Sequence, residues 1–428
     1  MQLAIIALAI FLLTYALISL RKVGRWTLDR PAVALFGAVL MILLGVVAPG
    51  DALAAIDLNT IALLLGMMLV VVSLELCGFF DLVARRMIAA SKDQRIFLAV
   101  VMVTTAFLSA LILNDAVVLL FTPVIIKACR AIKANPVPYL IAEAISANIG
   151  SVATPVGNPQ NAFIAMKSGI DFVTFVSRLL PTAIISLVVA FIIIWFVFKK
   201  HMGDATPGGN GAKRIDCAEA ARAIGDAVVH PAVKFVLAIL VLVVIGFLLS
   251  GAMNVPLSII ALSGGAALLM LLPFLIKKAT PKIMLAKVDW GLLIFFAGLF
   301  IVLKGVQVSG LLDDMMSVFQ SVSGGSLSNV WGLSAFSAIL SNLISNVPAV
   351  MLLAPFVGSL GQPDMWLALA GSSTLAGNAT ILGAAANVIV VESALGQGVE
   401  VSLKDFVKAG LPITIITLIV CATLLSIL

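Results

Sequence analysis

The chain contains a succession of apolar runs, each long enough to cross a lipid bilayer. A helix needs about 20 apolar residues to span the hydrocarbon core. Only 11% of the 428 residues are charged, against roughly 25% in soluble domains. We therefore expect an all-α polytopic membrane protein. Candidate spanning helices lie near residues 3–20, 31–48, 58–77, 176–198, 232–250, 256–276, 290–306 and 411–427.

Several other classes of protein do not fit this composition. The excess of Lys and Arg over Asp and Glu, 26 against 20, is not gathered on an exposed basic domain, so we expect no nucleic-acid partner. The four cysteines are scattered and both histidines, His201 and His230, fall in one loop, so we expect no metal and no cofactor beyond a coupling ion. The N-terminal apolar run has no small-residue cleavage site and is read as a retained helix.

Two longer apolar regions need a different interpretation. Residues 97–126 would form a helix of about 45 Å, which is too long for one crossing and too short for two. A re-entrant hairpin that turns at Asn114 and Asp115 fits this length. A second hairpin is predicted at 329–359, with its turn at Ser345 to Pro348.

The distribution of basic residues predicts the sidedness. With the two hairpins in place, 23 of the 26 Lys and Arg residues fall in loops on one side, which the positive-inside rule assigns to the cytoplasm. We expect a multi-pass protein of the cell (inner) membrane with about eleven membrane elements and its N-terminus outside. The basic segments are 21–30, 78–96, 127–136, 199–234, 277–288 and 397–410.

The chain also repeats itself. A shift of 232 residues aligns Gly66 with Gly298 and Asn114 with Asn346, and a shift of 226 aligns SVATPVGNPQN at 151–161 with GNATILGAAAN at 377–387. The two halves run in opposite directions through the membrane in this topology, which predicts an inverted structural repeat of the kind many secondary transporters use. We expect a first half at 1–198, a cytoplasmic linker at 199–231 and a second half at 232–428. Each half contains a re-entrant hairpin and a discontinuous transmembrane helix, at 139–166 and 365–396.

Pro155, Gly157 and Pro159 interrupt the first of these helices at membrane depth. A broken backbone is tolerated there only if it is buried in protein or lines a wet cavity. We therefore predict a transport site where the hairpin tips and the broken helices meet. Its polar side chains bind the solute or, alternatively, cap half-helices and satisfy the broken backbone. The candidate substrate-binding residues are Asn114, Thr154, Asn158, Asn161, Asn346, Asn378, Thr380 and Asn387.

Asp115 is an ionisable residue at membrane depth, which indicates function by default. It has no counterpart in the second half, where Val347 stands at the equivalent position. We predict that it couples transport to an ion, either by carrying a proton or by ligating sodium; the alternative is a helix cap. Other charged residues of the apolar runs lie nearer to predicted helix ends, where ion pairs or snorkelling are expected. They are Glu75, Glu143, Lys304 and Glu392.

No Lys or Arg lies next to the predicted hairpin tips or breaks, which favours a neutral or weakly charged solute or an inorganic cation. Helix N-termini with bound sodium are an alternative way to hold an anion. An intramembrane hydrolase would need an activated nucleophile or a metal pair, so we expect no enzyme activity. A passive channel shares the architecture but cannot build a gradient.

Four motifs resemble the ion transporter superfamily, and within it the arsenical pump membrane protein (arsenite permease) branch. They are NDAVVLLFTPVI at 114–125, GSVATPVGNPQN at 150–161, SNVPAVMLLAP at 345–355 and GNATILGAAANVIVVE at 377–392. The resemblance implies alternating access and the export of arsenite or antimonite in exchange for protons. It also implies a partner ATPase in some members, and we expect a homodimer as the assembly.

Other branches of this superfamily provide the alternative functions: a sodium/proton antiporter or a sodium-coupled transporter of citrate or dicarboxylates. The dicarboxylate branch has Ser-Asn-Thr at its hairpin tips. Here the tips read Leu113-Asn114-Asp115 and Ser345-Asn346-Val347, which favours the arsenite interpretation.

Overall fold

The computed structural model describes residues 2–20, 22–23, 26–132, 134–202, 229–312, 314–315, 317, 321 and 326–427. Most of them are helical, and two short strands, β1 (Lys22–Val23) and β2 (Trp26–Thr27), pair antiparallel. Most of the linker predicted at 199–231 lies outside the described residues.

Ten helices of the first half are described. They are α1 (Gln2–Leu20), α2 (Arg30–Leu43), α3 (Pro49–Ala54), α4 (Leu58–Leu76), α5 (Phe79–Ala89), α6 (Gln94–Leu111), α7 (Asn114–Ala131), α8 (Val137–Val152), α9 (Pro159–Ser168) and α10 (Phe172–Phe198). Nine further described helices follow: α11 (Val233–Met253), α12 (Leu257–Leu275), α13 (Pro281–Ala286), α14 (Trp290–Val308), α15 (Val330–Ile344), α16 (Asn346–Leu360), α17 (Pro363–Ala376), α18 (Ala385–Leu395) and α19 (Leu403–Ile427).

Eight of the described helices are long and apolar enough to cross a membrane: α1, α4, α6, α10, α11, α12, α14 and α19. The predicted class of an all-helical polytopic membrane protein is confirmed. The inverted orientation of the repeat, the re-entrant path of the hairpins and the division at 1–198, 199–231 and 232–428 stay predictions.

One predicted helix is shorter than its apolar run. The run at 31–48 suggests a full span, but α2 ends at Leu43. Gly45 has a φ of 71°, in the left-handed region that glycine adopts without strain. The next two amides, of Val46 and Val47, both donate back to Met41 O. The apolar run therefore continues past the end of α2, and Gly45 is the one residue of the run that indicates the turn.

Two helical hairpins and two interrupted helices are present. The first hairpin joins α6 to α7 through Ile112 and Leu113, and each arm has 18 residues, about 27 Å. The second joins α15 to α16 through Ser345 alone, and each arm has 15 residues. The interruptions lie at 153–158, between α8 and α9, and at 377–384, between α17 and α18.

The two halves interlock through helix pairs that cross between them. Helix α4 of the first half packs on α12 of the second, and α14 packs on α2. A Cβ at Gly66 would overlap the backbone of Ala261, and a Cβ at its repeat equivalent Gly298 would overlap the backbone of Ala34. Small residues let helix backbones approach closely in membrane proteins, so these glycines set the contact between the halves.

Candidate functional site

The two hairpin tips and the two interruptions surround one cavity of about 820 Å³. Its floor contains Asn114 and Asp115 from the first tip and Ser345 to Val347 from the second. Further wall is formed by Pro159 and Gln160, directly after the first interruption, and by Ala384 and Ala385, at the end of the second. The starts of α2 and α14 complete it. The hairpin tips and interrupted helices that the sequence predicts to converge therefore meet at this cavity.

Asn114 connects the first tip to the first interruption and to α8. Its backbone N–H donates to Gly157 O at 2.9 Å, and its side-chain Nδ2 donates to Asn148 Oδ1 at 3.4 Å. Its Oδ1 accepts from the backbone N–H of Asp115 at 2.9 Å. The residue is buried, so these contacts fix its amide at the edge of the cavity.

Asn346 has the equivalent position at the second tip. In the amide orientation that satisfies both neighbouring carbonyls, its nitrogen donates to Ser373 O at 3.1 Å and to Gly383 O at 2.9 Å. Gly383 and Gly157 are repeat equivalents, so each tip is attached to the interruption of its own half.

Two equivalent asparagines hold the interrupted backbones. Asn161 Nδ2 donates to Ser151 O at 3.0 Å and Thr154 O at 3.2 Å. Asn387 Nδ2 donates to Gly377 O at 2.7 Å and Thr380 O at 2.9 Å, the carbonyls at the equivalent positions. Both side chains are fully buried, so they replace the hydrogen bonds that the helix breaks remove.

Four other predicted site residues form hydrogen bonds to groups within the protein. Thr154 Oγ1 donates to Ala110 O, and Thr380 Oγ1 donates to Asn342 Oδ1. Asn158 caps α9 by accepting from the backbone N–H of Asn161 at 2.9 Å. Asn378 accepts from Asn148 Nδ2 at 3.0 Å.

Of the nine predicted site residues, Asn114, Asp115 and Asn346 line the cavity and the other six do not. The six are Thr154, Asn158, Asn161, Asn378, Thr380 and Asn387. Their contacts agree with the alternative role, satisfying the broken backbone. A direct role of these residues in solute binding stays a prediction.

Charged residues gather on the cavity wall. Among the residues that the structure describes, the wall contains one guanidinium, of Arg30, and the carboxylates of Asp29, Asp115, Asp289 and Glu392. Arg30 and Asp289 interact electrostatically with Asp115. A cavity lined mainly by one sign of charge concentrates ions of the opposite sign, so this one attracts cations and repels polyanions.

Sequence reasoning left Arg30 and Asp289 out of the site. It placed no cation next to the tips, yet Arg30 reaches the same cavity from α2. Asp289 caps α14 by accepting from Leu292 N at 3.0 Å, and its repeat equivalent Asp57 caps α4. The pairing of Asp57 with Asp289 was the only available signal, and it indicates a helix start rather than a cavity.

Gln160, Asn148 and Thr374 were also missed as site residues. Gln160 lines the cavity, and its Nε2 donates to Thr374 Oγ1 at 3.4 Å. Asn148 lies inside α8 and is 1% exposed. A shift of 226 residues aligns Asn148 with Thr374, so paired polar positions inside apolar helices could have revealed both.

Glu75 and Glu143, two charged residues outside the hairpin tips, have different environments. Glu75 forms the expected ion pair, with its carboxylate 2.6 Å from Lys287 Nζ. Glu143 instead lies inside α8, is 0% exposed, and accepts from Thr122 Oγ1 at 3.1 Å. The expectation of a helix-end position was wrong for Glu143, because α8 begins at Val137 and continues through it.

The chain is similar in sequence to several known transporters. An uncharacterized transporter of Mycobacterium tuberculosis (strain H37Rv) is 31% identical over 98% of this chain and 97% of its own length. The silicon efflux transporter of Oryza sativa subsp. japonica is 30% identical over 91% of this chain and 90% of its own. A transporter named arsB from Dictyostelium discoideum is 25% identical over 92% and 86%.

The profile of a transporter family, described as citrate transporter (CitMHS), matches residues 15–376. The matched region contains both hairpins and most of the interrupted helices. The superfamily expected from the four motifs is confirmed, and the arsB relative is consistent with the arsenite permease branch. The chain therefore belongs to the citrate transporter family of the ion transporter superfamily and is a membrane transporter.

Proposed function

We propose that the protein is a secondary active transporter that exports arsenite or antimonite in exchange for protons by alternating access. The observation that carries this proposal is the chemistry of the cavity: neutral amides at its floor and a majority of carboxylates on its wall. In this proposal the coupling ion is a proton, and transport uses no further cofactor.

The amides suit a small neutral hydroxide. Arsenite and antimonite are uncharged trihydroxides at neutral pH, with hydroxyl groups that both donate and accept hydrogen bonds. Asn114 and Asn346 place amide groups at the cavity floor, and Gln160 places one on its wall. An amide offers one acceptor oxygen and two donor hydrogens, and these three residues use part of that capacity within the protein. Such a solute gains hydrogen bonds without bringing a charge into the membrane.

The carboxylates disfavour citrate. A trianion in this cavity would face four carboxylates with Arg30 as the one described cation of the wall, and like charges across a binding surface cost several kcal/mol. A neutral hydroxide does not incur this cost. The rice relative supports the same class of solute by its name, because silicic acid is also a neutral hydroxide.

Asp115 is the proposed coupling residue. It is the one acidic residue of the two described hairpin tips and is adjacent to Asn114. In the exchange cycle it binds a proton when the cavity faces outside and releases the proton when it faces the cytoplasm. The protonated acid is neutral when the tip returns to the cytoplasmic side. The carboxylate crosses with the neutral solute in the other half of the cycle, so each exchange moves one positive charge inward.

The loops at the cavity mouth indicate which state this is. Asp29, Arg30 and Asp289 border or lie within segments that the positive-inside rule assigns to the cytoplasm. On this assignment the cavity is open to the cytoplasm, ready to load a solute for export. An inner-membrane location with the N-terminus outside, a homodimer and a partner ATPase belong to the same proposal.

A second candidate is a sodium-coupled transporter of citrate or another carboxylate, or a sodium/proton antiporter. Arg30 in the cavity wall and the description of the family favour the carboxylate. In this alternative Asp115 ligates sodium, and sodium rather than a pH gradient drives transport.

Transport by the purified chain in liposomes separates these candidates. Arsenite, antimonite, silicic acid and citrate are offered outside vesicles whose lumen is acidic, with and without sodium. With the membrane potential held at zero by potassium and valinomycin, one-for-one exchange of a neutral solute with protons predicts accumulation of arsenite by about tenfold per pH unit, since one pH unit is about 1.4 kcal/mol. Asp115→Asn should abolish accumulation, whereas Asp51→Asn, at an exposed site in α3, should not. Accumulation of citrate, driven by sodium alone, would instead support the second candidate.

A further inference from the structure

Two chains of side-chain hydrogen bonds cross between the halves of the protein. The first begins at the cavity with Asn114, whose Nδ2 donates to Asn148 Oδ1 at 3.4 Å. Asn148 Nδ2 then donates to Asn387 Oδ1 at 2.9 Å. Because Asn387 holds the carbonyls of Gly377 and Thr380, this chain connects the first hairpin tip to the interruption of the second half.

The second chain crosses from the first half to the second and then returns. It begins at the cavity with Gln160, whose Nε2 donates to Thr374 Oγ1 at 3.4 Å. Thr374 Oγ1 donates to Asn161 Oδ1 at 3.5 Å. Asn161 holds the carbonyls of Ser151 and Thr154. This chain therefore crosses to α17 of the second half and returns to the interruption of the first.

The inner links of the two chains are related by the repeat, whereas their cavity ends, Asn114 and Gln160, are not repeat equivalents. Asn148 and Thr374 are equivalent under the shift of 226 residues, and so are Asn161 and Asn387. Asn148 and Thr374 are each 1% exposed. The amide and the hydroxyl perform the same task, since each accepts from a cavity amide and donates to the asparagine that holds an interrupted backbone.

We propose that Asn148 and Thr374 are positioning residues that link occupancy of the cavity to the backbone of both interruptions. A solute that engages Asn114 and Gln160 together orders both chains at once. Both interruptions then become rigid as one unit, and buried hydrogen-bonded networks of this kind strengthen one another. This inference rests on the proposed transport function for its purpose, but its geometry is independent of which solute is carried.

Backbone hydrogen exchange of the unliganded full chain in detergent tests the geometry without any solute. Thr374→Val keeps the shape of the side chain and removes the hydroxyl, so exchange should accelerate at 151–158, in the other half. Asn148→Ala should accelerate exchange at 377–384. Thr414→Val is the matched control, because Thr414 is a buried threonine whose hydroxyl has no partner among the described residues. Acceleration confined to each residue's own helix would overturn the proposal.

Transport kinetics test the role in positioning. For whichever of arsenite, antimonite, silicic acid and citrate the wild type carries, Thr374→Val should raise KM between about 2-fold and 10-fold, the range that one lost hydrogen bond supports. The maximal rate should change less, and Thr374→Ser should restore KM. An unchanged KM in Thr374→Val would contradict the inference. If the wild type carries none of these solutes, the proposed function fails, and the hydrogen exchange still decides the geometry. If Asn148→Ala does not fold, Thr374→Val decides alone.

Discussion

At the scale of single residues, Ser345 carries the most unusual backbone of the described site. It is the sole residue between α15 and α16 and has φ 77° and ψ 157°, a region that glycine populates almost exclusively. A serine held there costs on the order of 1–3 kcal/mol. The tightness of the second tip explains the conformation, because one residue must reverse the direction of the chain.

Ser345→Gly should stabilise the protein. Relief of about 1–3 kcal/mol of strain exceeds the roughly 0.4–1 kcal/mol that glycine loses through the freedom of the unfolded chain. Thermal unfolding in detergent should therefore give a higher melting temperature than wild type. Ser345→Ala is the control, since it removes the hydroxyl and retains the Cβ. A melting temperature for Ser345→Gly at or below that of the alanine variant would be inconsistent with a strained tip.

Sequence reasoning found some residues of the cavity and missed others for a physical reason. Asn114 and Asn346 stand out because polar residues in apolar runs repeat at one spacing. Asn148 lies in an unbroken helix, and its partner Asn387 is 239 positions away, so only the folded chain brings them together. Arg30 stands at the start of α2 and lines the cavity. The sequence pattern does not show in which direction the residues at a helix start face.

At the scale of helices, interruptions are predictable where the backbone chemistry changes. Pro155, Gly157 and Pro159 mark the first interruption directly. The second has no proline between 377 and 387 and is recognisable only because the repeat aligns it with the first. Helix α18 also begins without a side-chain cap at Ala384, whereas Asn158 caps α9, so capping signals would have found only one of the two.

The packing of α4 on α12 and of α14 on α2 predicts similar effects for two equivalent glycine substitutions. Gly66→Ala and Gly298→Ala each place a methyl group against a facing backbone, and overpacking costs about 1–3 kcal/mol. Both variants should therefore lower the melting temperature in detergent by similar amounts. Gly251→Ala is the control, because its nearest neighbour, Asp171 Cβ, is at an ordinary 3.5 Å. If only one of the two variants is destabilised, the halves do not interlock equivalently.

At the scale of the whole molecule, a symmetric sequence folds into an asymmetric structure. Gly291 and Phe295 line the cavity, whereas their repeat equivalents, Asn59 and Leu63, do not. Asn59, equivalent to Gly291, accepts from Ser258 Oγ at 2.9 Å, and Leu63, equivalent to Phe295, is fully buried. Alternating access requires these two environments to exchange, so we expect a second state in which the α4 side is open.

Apolar runs and the repeat predict the helical class of the molecule. Which side is open cannot be read from them, because both halves have nearly the same pattern and the choice depends on packing between them. The sequence also predicts a transport site but leaves the sign of its charge open. The carboxylates of Asp29, Asp289 and Glu392 come from three separate helix regions and meet only in the folded protein.

The most direct test of proton-coupled exchange is the direction of proton movement under a solute gradient alone. Vesicles that contain the purified chain and a luminal pH dye are loaded with arsenite and diluted into arsenite-free buffer at equal pH. Exchange predicts that the lumen acidifies as arsenite leaves, and that Asp115→Asn removes the signal. Loss of arsenite without any change in luminal pH, or with alkalinisation, would contradict the account.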